Sequence, residues 1–242
     1  MRRTVIPEFL DEDAGTPQEI AGSLADLQTI NRYFGGVHTM KELLLKVARA
    51  RQINRLSWLD VGGARGDLAT LTGQSLRQQG IELQPVMLDR VPSHMTPPAS
   101  TRSNGAAGPS TKNGHYPLVG GDALALPFKE NSFDVVGCCL FLHHLEPQQV
   151  VQFVNEGLRV ARHAVLINDL VRHPLHVALA YAGYAVYRSR LTRHDSVASV
   201  RRAYTTSEIE DMLGKTSSFR VEITTFFPFR MGVIAWKQPN TT

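Results

Sequence analysis

The sequence predicts an α/β fold in which a mostly parallel sheet of seven strands has helices on both faces. Short apolar segments alternate with helix-forming segments from residue 56 onward, a pattern typical of parallel strands connected by helices. The last two strands, 220–226 and 231–237, are joined by a short connection through Pro228. They are therefore expected to pair as one antiparallel hairpin at an edge of the sheet.

Composition narrows the class of protein. Of the 242 residues, 43% are hydrophobic and 20% are charged, which is typical of a soluble globular domain. The net charge of +4 is too small to indicate nucleic-acid binding by itself. Cys138 and Cys139 are adjacent, so on a strand they would face opposite sides and form no disulfide. With no signal segment and no stretch of about 20 apolar residues, the sequence predicts a cytoplasmic protein.

We expect two parts in the chain. Residues 1–55 predict an N-terminal helical cap, because apolar residues recur at helical spacing and a Gly-Gly pair separates two helices. Residues 56–242 predict the α/β domain. Within it, residues 92–114 are rich in Pro, Gly and Ser and predict a flexible loop insertion. Residues 174–205 predict a lid or substrate-binding segment.

The individual elements follow from periodicity, length and turn residues. The first five strands are predicted at 57–61, 83–88, 116–119, 133–142 and 162–168, and helices are predicted from Pro17 to Phe34, up to Arg51, from Asp67, and at 147–160, 175–187 and 207–213. The Arg-rich stretch between the last two helices is given no regular structure.

A glycine-rich turn follows the first strand and precedes a helix. It reads DVGGARGD over residues 60–67, and glycine there lets the backbone approach a ligand closely because no Cβ intervenes. Such a turn at the carboxyl edge of a parallel sheet lies beside a helix N-terminus, where nucleotides bind. The spacing does not fit the Gly-x-Gly-x-x-Gly pattern of dinucleotide sites, because Ala64 stands at its second glycine. A tight turn without a ligand is the alternative.

Two further carboxylates follow the next strands at the same edge. Asp89 ends the second strand, where a carboxylate can accept hydrogen bonds from the two hydroxyls of a ribose. Asp122 follows the third strand, where a carboxylate can accept a hydrogen bond from an adenine amino group. Each residue alone is also explained by a loop or capping role. Together with Asp60, these acids at three successive strand ends predict a site for an adenosine-containing ligand.

Three segments resemble motifs of class I S-adenosylmethionine-dependent methyltransferases. Residues 60–69 resemble the first motif, acidic-x-Gly-x-Gly-x-Gly, while GDALALPF (121–128) and NSFDVV (131–136) resemble the third and fourth. The resemblance is closest to the ubiquinone/menaquinone-biosynthesis type and its small-molecule relatives. It implies a Rossmann-like fold, S-adenosylmethionine as cofactor and methyl transfer as the reaction. Ala64 and Arg65 depart from the pattern, since they replace a glycine and a smaller Thr or Ser.

The resemblance also implies where the cofactor binds. Gly62 and Gly66 would line its methionine part, Asp89 its ribose and Asp122 its adenine. The full predicted cofactor site comprises Asp60, Gly62, Gly63, Gly66, Asp89, Arg90, Asp122, Ala123, Leu140 and Tyr33. No metal site is predicted, because neither Cys/His ligand spacing nor the Asp/Asp/Asn cluster of metal-dependent catechol methyltransferases can be assembled from the sequence.

Candidate catalytic residues follow the fourth and fifth strands. His143 and His144 would lie over the methyl group, and histidine suits a general base near neutral pH. His143 is the first choice; in the alternative, one histidine packs against the cofactor and the other caps the next helix. Asp169 is predicted to orient the substrate or assist a histidine, or else to cap the following helix.

The predicted acceptor is a hydrophobic small molecule such as a phenol, quinone or polyketide. Residues 175–187 are apolar on nearly all sides and must be covered, so they form a lid, pack on the sheet or touch a membrane surface edge-on. The basic residues that follow would clamp an acidic substrate, meet anionic lipid, or form a solvated face with a pair to Asp195. These residues are Arg188, Arg190, Arg193, His194, Arg201 and Arg202.

Two other functions stay open. A nucleic-acid methyltransferase would fit the pI of about 9.2, but the fourth strand ends in CCLFLHH (138–144) instead of Asn/Asp-Pro-Pro-Tyr. A non-catalytic protein that kept the fold would fit the departures at Ala64 and Arg65. The oligomeric state is not predicted.

Overall fold

A computed structural model describes residues 1–12, 14–90 and 116–239. The loop insertion predicted at 92–114 lies outside the described residues. The helices are α1 (Pro17–Tyr33), α2 (Gly36–Arg51), α3 (Asp67–Arg77), α4 (Pro147–Val160), α5 (Pro174–Ala182), α6 (Arg190–Arg202) and α7 (Thr206–Leu213). The strands are β1 (Arg55–Val61), β2 (Glu82–Asp89), β3 (Leu118–Gly120), β4 (Phe133–Cys139), β5 (Ala161–Leu170), β6 (Arg220–Phe226) and β7 (Arg230–Trp236).

The strands form one seven-stranded sheet in the order β3-β2-β1-β4-β5-β7-β6. The first five strands run parallel, whereas β7 is antiparallel to both β5 and β6. The predicted fold class and terminal hairpin are confirmed, with the reversed strand inserted between β5 and the edge strand β6. Val61 pairs with Leu88 and Cys138, so β1, β2 and β4 end at the same edge of the sheet.

Both faces of the sheet carry an apolar core. One core contains Val136 and Phe153 and is covered by α4 and α7. The other contains Leu44 and Trp58 and is covered by α2 and α3. Cys138 belongs to the first core whereas Cys139 packs against the second, and both are free thiols, as the alternation of side chains along a strand predicts.

The segment from residue 174 to 205 differs most from expectation. The helix α5 ends at Ala182, before a single 3₁₀ turn, and it leaves Leu175 64% and Tyr181 48% exposed. Within the chain, the prediction that residues 175–187 are covered holds only for the side of α5 that packs on α6, around Ala180 and Val200. A cover for the exposed side stays a prediction. The helix α6 forms where no regular structure was expected. No helix among the described residues is long and apolar enough to cross a membrane.

Candidate active site

A cavity of about 950 Å³ opens at the carboxyl edge of the sheet. Its volume lies near the top of the range of about 300–1,000 Å³ that is usual for small-molecule sites. Most of the predicted site residues line it, namely Asp60, Gly62, Gly63, Asp89, Arg90, Asp122, Ala123, Leu140, His143 and His144. Gly66, Tyr33 and Asp169 do not line it among the described residues.

The glycine turn after β1 forms one end of the cavity. Gly62 has φ +72°, and a Cβ there would lie 3.1 Å from the ring of Phe141, so glycine suits both the backbone and the space. Gly66 has φ +76° and precedes α3, and a Cβ there would meet the ring of Tyr116 at 2.8 Å. Gly66 therefore shapes the turn and allows Tyr116 to pack, instead of lining the cavity as the resemblance implied.

Two non-glycine residues in the cavity wall adopt left-handed backbone conformations. Ala64, the residue that replaces the middle glycine of the motif, has φ +44°, and Leu140 after β4 has φ +53°. Such residues are uncommon outside glycine and cost about 1–2 kcal/mol each. Backbone strain of this kind concentrates at functional sites. Leu140 is held in place by a hydrogen bond from its backbone N–H to the carbonyl of Asn168.

The carboxylate of Asp60 is buried without a partner. Asp60 is 1% exposed, and neither of its carboxylate oxygens accepts a hydrogen bond from the described residues. Burial, and then the negative charge of Asp89, raise the pKa of Asp60 well above its usual value. A buried polar group with no partner is rare and expensive. The carboxylate therefore suits a bound group that is positively charged or donates hydrogen bonds.

The other two acids are partly occupied by the backbone. Asp89 is 9% exposed and accepts a hydrogen bond at Oδ2 from the backbone N–H of Ala64, at 3.2 Å. Asp122 is exposed, and its Oδ1 accepts one from the N–H of Leu124 at 2.9 Å. This is the loop role considered for Asp122, because no helix begins at this turn, and the hydrogen bond leaves the second oxygen of the carboxylate for a ligand.

Tyr33 is not where the sequence placed it. Its side chain is 71% exposed and does not line the cavity, whereas the next residue, Phe34, does. Tyr33 is the last residue of α1, and consecutive helical residues point in directions about 100° apart. Only one of the two aromatic residues can therefore face the site.

His143, which also lines the cavity, lies between two carboxylates. It is 2% exposed; its Nδ1 is 2.7 Å from Asp169 Oδ1, and its Nε2 is 3.5 Å from Glu8 Oε1. Burial alone would lower the pKa of His143, but the charge and hydrogen bond of Asp169 and the nearby carboxylate of Glu8 outweigh it and raise the pKa to about 10. The imidazole is therefore protonated at neutral pH, which makes it a poor general base.

Asp169 is the residue that orients His143. It is 1% exposed and behind the cavity wall, and it also accepts hydrogen bonds from the backbone N–H of His143 and of Leu170. Although burial opposes it, the attraction of His143 lowers the pKa of Asp169. Asp169 thus fixes a neighbouring histidine, one of the roles considered for it.

His144 is more open than His143, with a side chain that is 18% exposed. Its Nδ1 lies 2.7 Å from Asp11 Oδ2, a close charge contact that is not aligned as a hydrogen bond. Its Nε2 lies 4.0 Å from Glu8 Oε2. The two histidine rings are therefore directed with their Nε2 atoms toward the same carboxylate.

Glu8 and Asp11 belong to a segment that sequence reasoning missed. We call residues 1–12 the N-terminal strap. Asp195 of α6 accepts hydrogen bonds from the backbone N–H groups of Phe9 and Leu10, at 2.9 and 3.1 Å. Asp195 also pairs with His194, whose Nδ1 lies 2.8 Å from Asp195 Oδ1, which is the kind of pair expected for this basic stretch. No local sequence signal marks the strap, because its partners lie far along the chain.

The basic residues of α6 are mostly used within the chain. Arg202 donates a hydrogen bond to the carbonyl of His144 at 2.6 Å, and Arg190 pairs with Glu19. Arg193 donates to the carbonyl of Tyr187. These contacts favour the structural alternative over a clamp for an acidic substrate.

The wall beneath α5 and α6 has an apolar part, which we call the apolar wall and which includes Leu179, Ala180, Val186 and Val200; Val186 is 76% exposed. Polar side chains such as Thr192 and Ser199 line the cavity beside it. The cavity thus has a polar half at the ends of β1 and β2 and an acceptor half, which we define as the apolar wall together with Glu8, His143 and His144.

Residues 59–167 match the family model of a methyltransferase domain. The matched segment contains the end of β1, the glycine turn, β2, β3 and β4, which supports a class I methyltransferase domain over these residues. The comparison with curated protein sequences gave no significant match.

Solved structures share the fold. An S-adenosylmethionine-dependent methyltransferase from Aquifex aeolicus has a TM-score of 0.57 and 16% identity, over 93% of this chain and 100% of that one. Magnesium protoporphyrin IX methyltransferase from Synechocystis PCC 6803, with bound SAH, has a TM-score of 0.52 and 13% identity, over 84% of each chain. Human N-acetylserotonin methyltransferase has a TM-score of 0.50 and 13% identity over 75% of this chain. This chain spans only 47% of that enzyme's length.

Proposed function

We propose that this chain is an S-adenosylmethionine-dependent methyltransferase that methylates an oxygen or carbon atom of a hydrophobic small molecule. The observation that carries the proposal is the two-sided cavity. Its polar half contains the acids expected to hold an adenosine-bearing cation, and its acceptor half joins the apolar wall to a cluster of ionisable side chains. The family model and the shared fold support the same reaction.

The residues of the polar half fit this cofactor. The buried, unpartnered carboxylate of Asp60 would bind the ammonium group of the methionine moiety. Asp89 would accept hydrogen bonds from the ribose hydroxyls, and the second oxygen of Asp122 would accept one from the adenine amino group. When bound, the cofactor would supply a methyl group bonded to a positively charged sulfur. A nucleophile that attacks the methyl carbon displaces the sulfur, which leaves as a neutral thioether.

In the acceptor half, the side chains position the acceptor and move its proton. His144 is the better placed base in a metal-free protein, because His143 is already held as a cation by Asp169 and Glu8. This order reverses the one expected from the sequence. The apolar wall around Leu179 and Val186 would exclude water and bind a hydrophobic ring.

Calorimetry with the cofactor and with its demethylated product tests the first half of the proposal. Asp60→Asn should weaken binding, whereas Asp211→Asn, an exposed residue of α7, should not. Labelled methyl transfer to a panel of hydrophobic phenols tests the second half. Absence of binding to either nucleotide would contradict the proposal, and binding without transfer to any acceptor would favour the non-catalytic alternative.

A further inference from the structure

We propose that Glu8, His143 and His144 form a binding site for one first-row transition-metal dication such as Zn²⁺, with an open coordination position facing the acceptor half of the cavity. The sequence predicted no metal site, because its ligands come from the N-terminal strap and from the turn after β4. The metal site stands on its own geometry, and only its role in catalysis rests on the proposed function.

The donor atoms have the separations of metal ligands. His143 Nε2 is 3.5 Å from Glu8 Oε1, and His144 Nε2 is 4.0 Å from Glu8 Oε2. One donor atom from each of the three residues lies within 4.8 Å of the others. These distances are too long for good hydrogen bonds. They are close to the ligand–ligand spacing of about 3.4 Å that follows from tetrahedral bonds of about 2.0–2.1 Å.

Each candidate ligand also has an outer partner. Asp169 Oδ1 is hydrogen-bonded to Nδ1 of His143 at 2.7 Å. Asp11 Oδ2 lies 2.7 Å from Nδ1 of His144, although this contact is not aligned as a hydrogen bond. Ser199 Oγ donates a hydrogen bond to Glu8 Oε1 at 2.9 Å. A carboxylate on the distal nitrogen is the usual support of a metal-binding histidine, because it fixes the ring and leaves Nε2 to the metal.

The charges and burial around the cluster suit a dication. Three carboxylates, those of Glu8, Asp11 and Asp169, surround the two imidazoles, while Arg202 reaches Asp11 only at 3.9 Å. On binding, the metal would take the place of the proton that lies between His143 and Glu8. This proton would be released to solvent. Two imidazoles and one carboxylate favour Zn²⁺, Co²⁺ or Fe²⁺ over Mg²⁺ and Ca²⁺, which prefer oxygen ligands.

The open position points to a use in methyl transfer. Glu8, His143 and His144 all line the cavity, and catalytic sites with three protein ligands keep the fourth position for water or substrate. An oxygen of the acceptor would occupy that position, next to the apolar wall. A cation there lowers the pKa of a coordinated hydroxyl, so the acceptor could react as its anion.

The experiment is a titration of the full metal-free chain with Co²⁺ and with Zn²⁺, without cofactor or acceptor. We expect one equivalent to bind and Co²⁺ to give the intense visible absorption of a four-coordinate site. Glu8→Gln should weaken Zn²⁺ binding at least tenfold. Asp11→Asn, which changes a half-exposed outer partner and should fold normally, should weaken it about 10- to 100-fold.

Matched controls are Glu12→Gln in the same strap and His163→Gln at the start of β5, both of which should bind Zn²⁺ like the original protein. Circular dichroism checks that each variant is folded. Equal Zn²⁺ affinity in Glu8→Gln, Asp11→Asn and the controls would overturn the metal site and leave the cluster as a hydrogen-bonded anchor for the strap. Cofactor binding measured with a chelator present tests the proposed function separately, so the two failures are distinguishable.

Discussion

Asp60 and Asp169 are two carboxylates in the same sheet with opposite environments. Asp60 lies in β1 and Asp169 in β5, and each is 1% exposed. Asp169 accepts hydrogen bonds from a histidine ring and two backbone N–H groups, and its pKa is lowered. Asp60 has no hydrogen bond from the described residues, and its pKa is raised.

The comparison indicates that Asp169 stabilises the folded protein, whereas Asp60 has an unsatisfied carboxylate that suits a ligand. Removing a partner from a satisfied buried network leaves a charge uncompensated. Neutralising an unsatisfied carboxylate relieves a penalty that the unliganded protein already carries. A substitution that removes the carboxylate charge should therefore destabilise the protein at Asp169 and stabilise the unliganded protein at Asp60.

The largest effect is expected for Asp169→Ala. It removes the main partner of the buried His143 side chain and should lower the free energy of unfolding by about 3 kcal/mol, as measured by urea denaturation. Asp211→Ala, on the exposed surface of α7, should stay within about 0.5 kcal/mol. A loss of less than about 1 kcal/mol at Asp169 would show that its network contributes little to stability.

Asp60→Asn should weaken binding of the cofactor about 10- to 100-fold, since a hydrogen bond to a charged group contributes about 1.5–3 kcal/mol. Calorimetry at constant salt measures the change, with Asp211→Asn as the control. An unchanged affinity would mean that Asp60 does not contact the ligand.

The stability of the unliganded Asp60→Asn protein should depend on pH. Because the pKa of Asp60 is raised on folding, its contribution is fully present below the unfolded value of about 3.9 and is lost as the pH rises through the folded value. Asp60→Asn removes this loss. The unfolding free energy of the variant, relative to that of the original protein, should therefore rise as the pH increases from the unfolded to the folded pKa of Asp60. Urea denaturation over a pH series provides the measurement, and a difference that does not vary with pH contradicts the assignment.

The smallest effect is expected at Ala64, whose N–H binds the neighbouring acid Asp89. Ala64→Gly removes the strain of φ +44°, worth about 1–2 kcal/mol, but it gives the unfolded chain about 0.4–1 kcal/mol of extra entropy. The net gain in unfolding free energy should lie between about 0 and 1.6 kcal/mol. Gly80→Ala, at φ +75° in open space, is the opposite control and should be destabilising.

Sequence patterns served well where the determinants are local. The hairpin of β6 and β7, the helix α4 and the glycine turn follow from periodicity and turn residues, and the structure has them within a few residues of the predicted positions. The pattern failed over α6, because arginines are interspersed with its buried apolar residues Leu191, Val197 and Val200, which do not lie on a single face of the helix.

Asp60, Asp89 and Asp122 could be assigned to one edge of the sheet from the sequence alone, because each lies at or just after the end of a strand and the strands of a parallel sheet end together. Which carboxylate is satisfied and which is not could not be assigned, because hydrogen bonding depends on neighbours from other elements. The same holds for Glu8, which reaches His143 only because Asp195 anchors the strap across α6. Periodicity describes contacts within an element, whereas this half of the site is made of contacts between residues far apart in the chain.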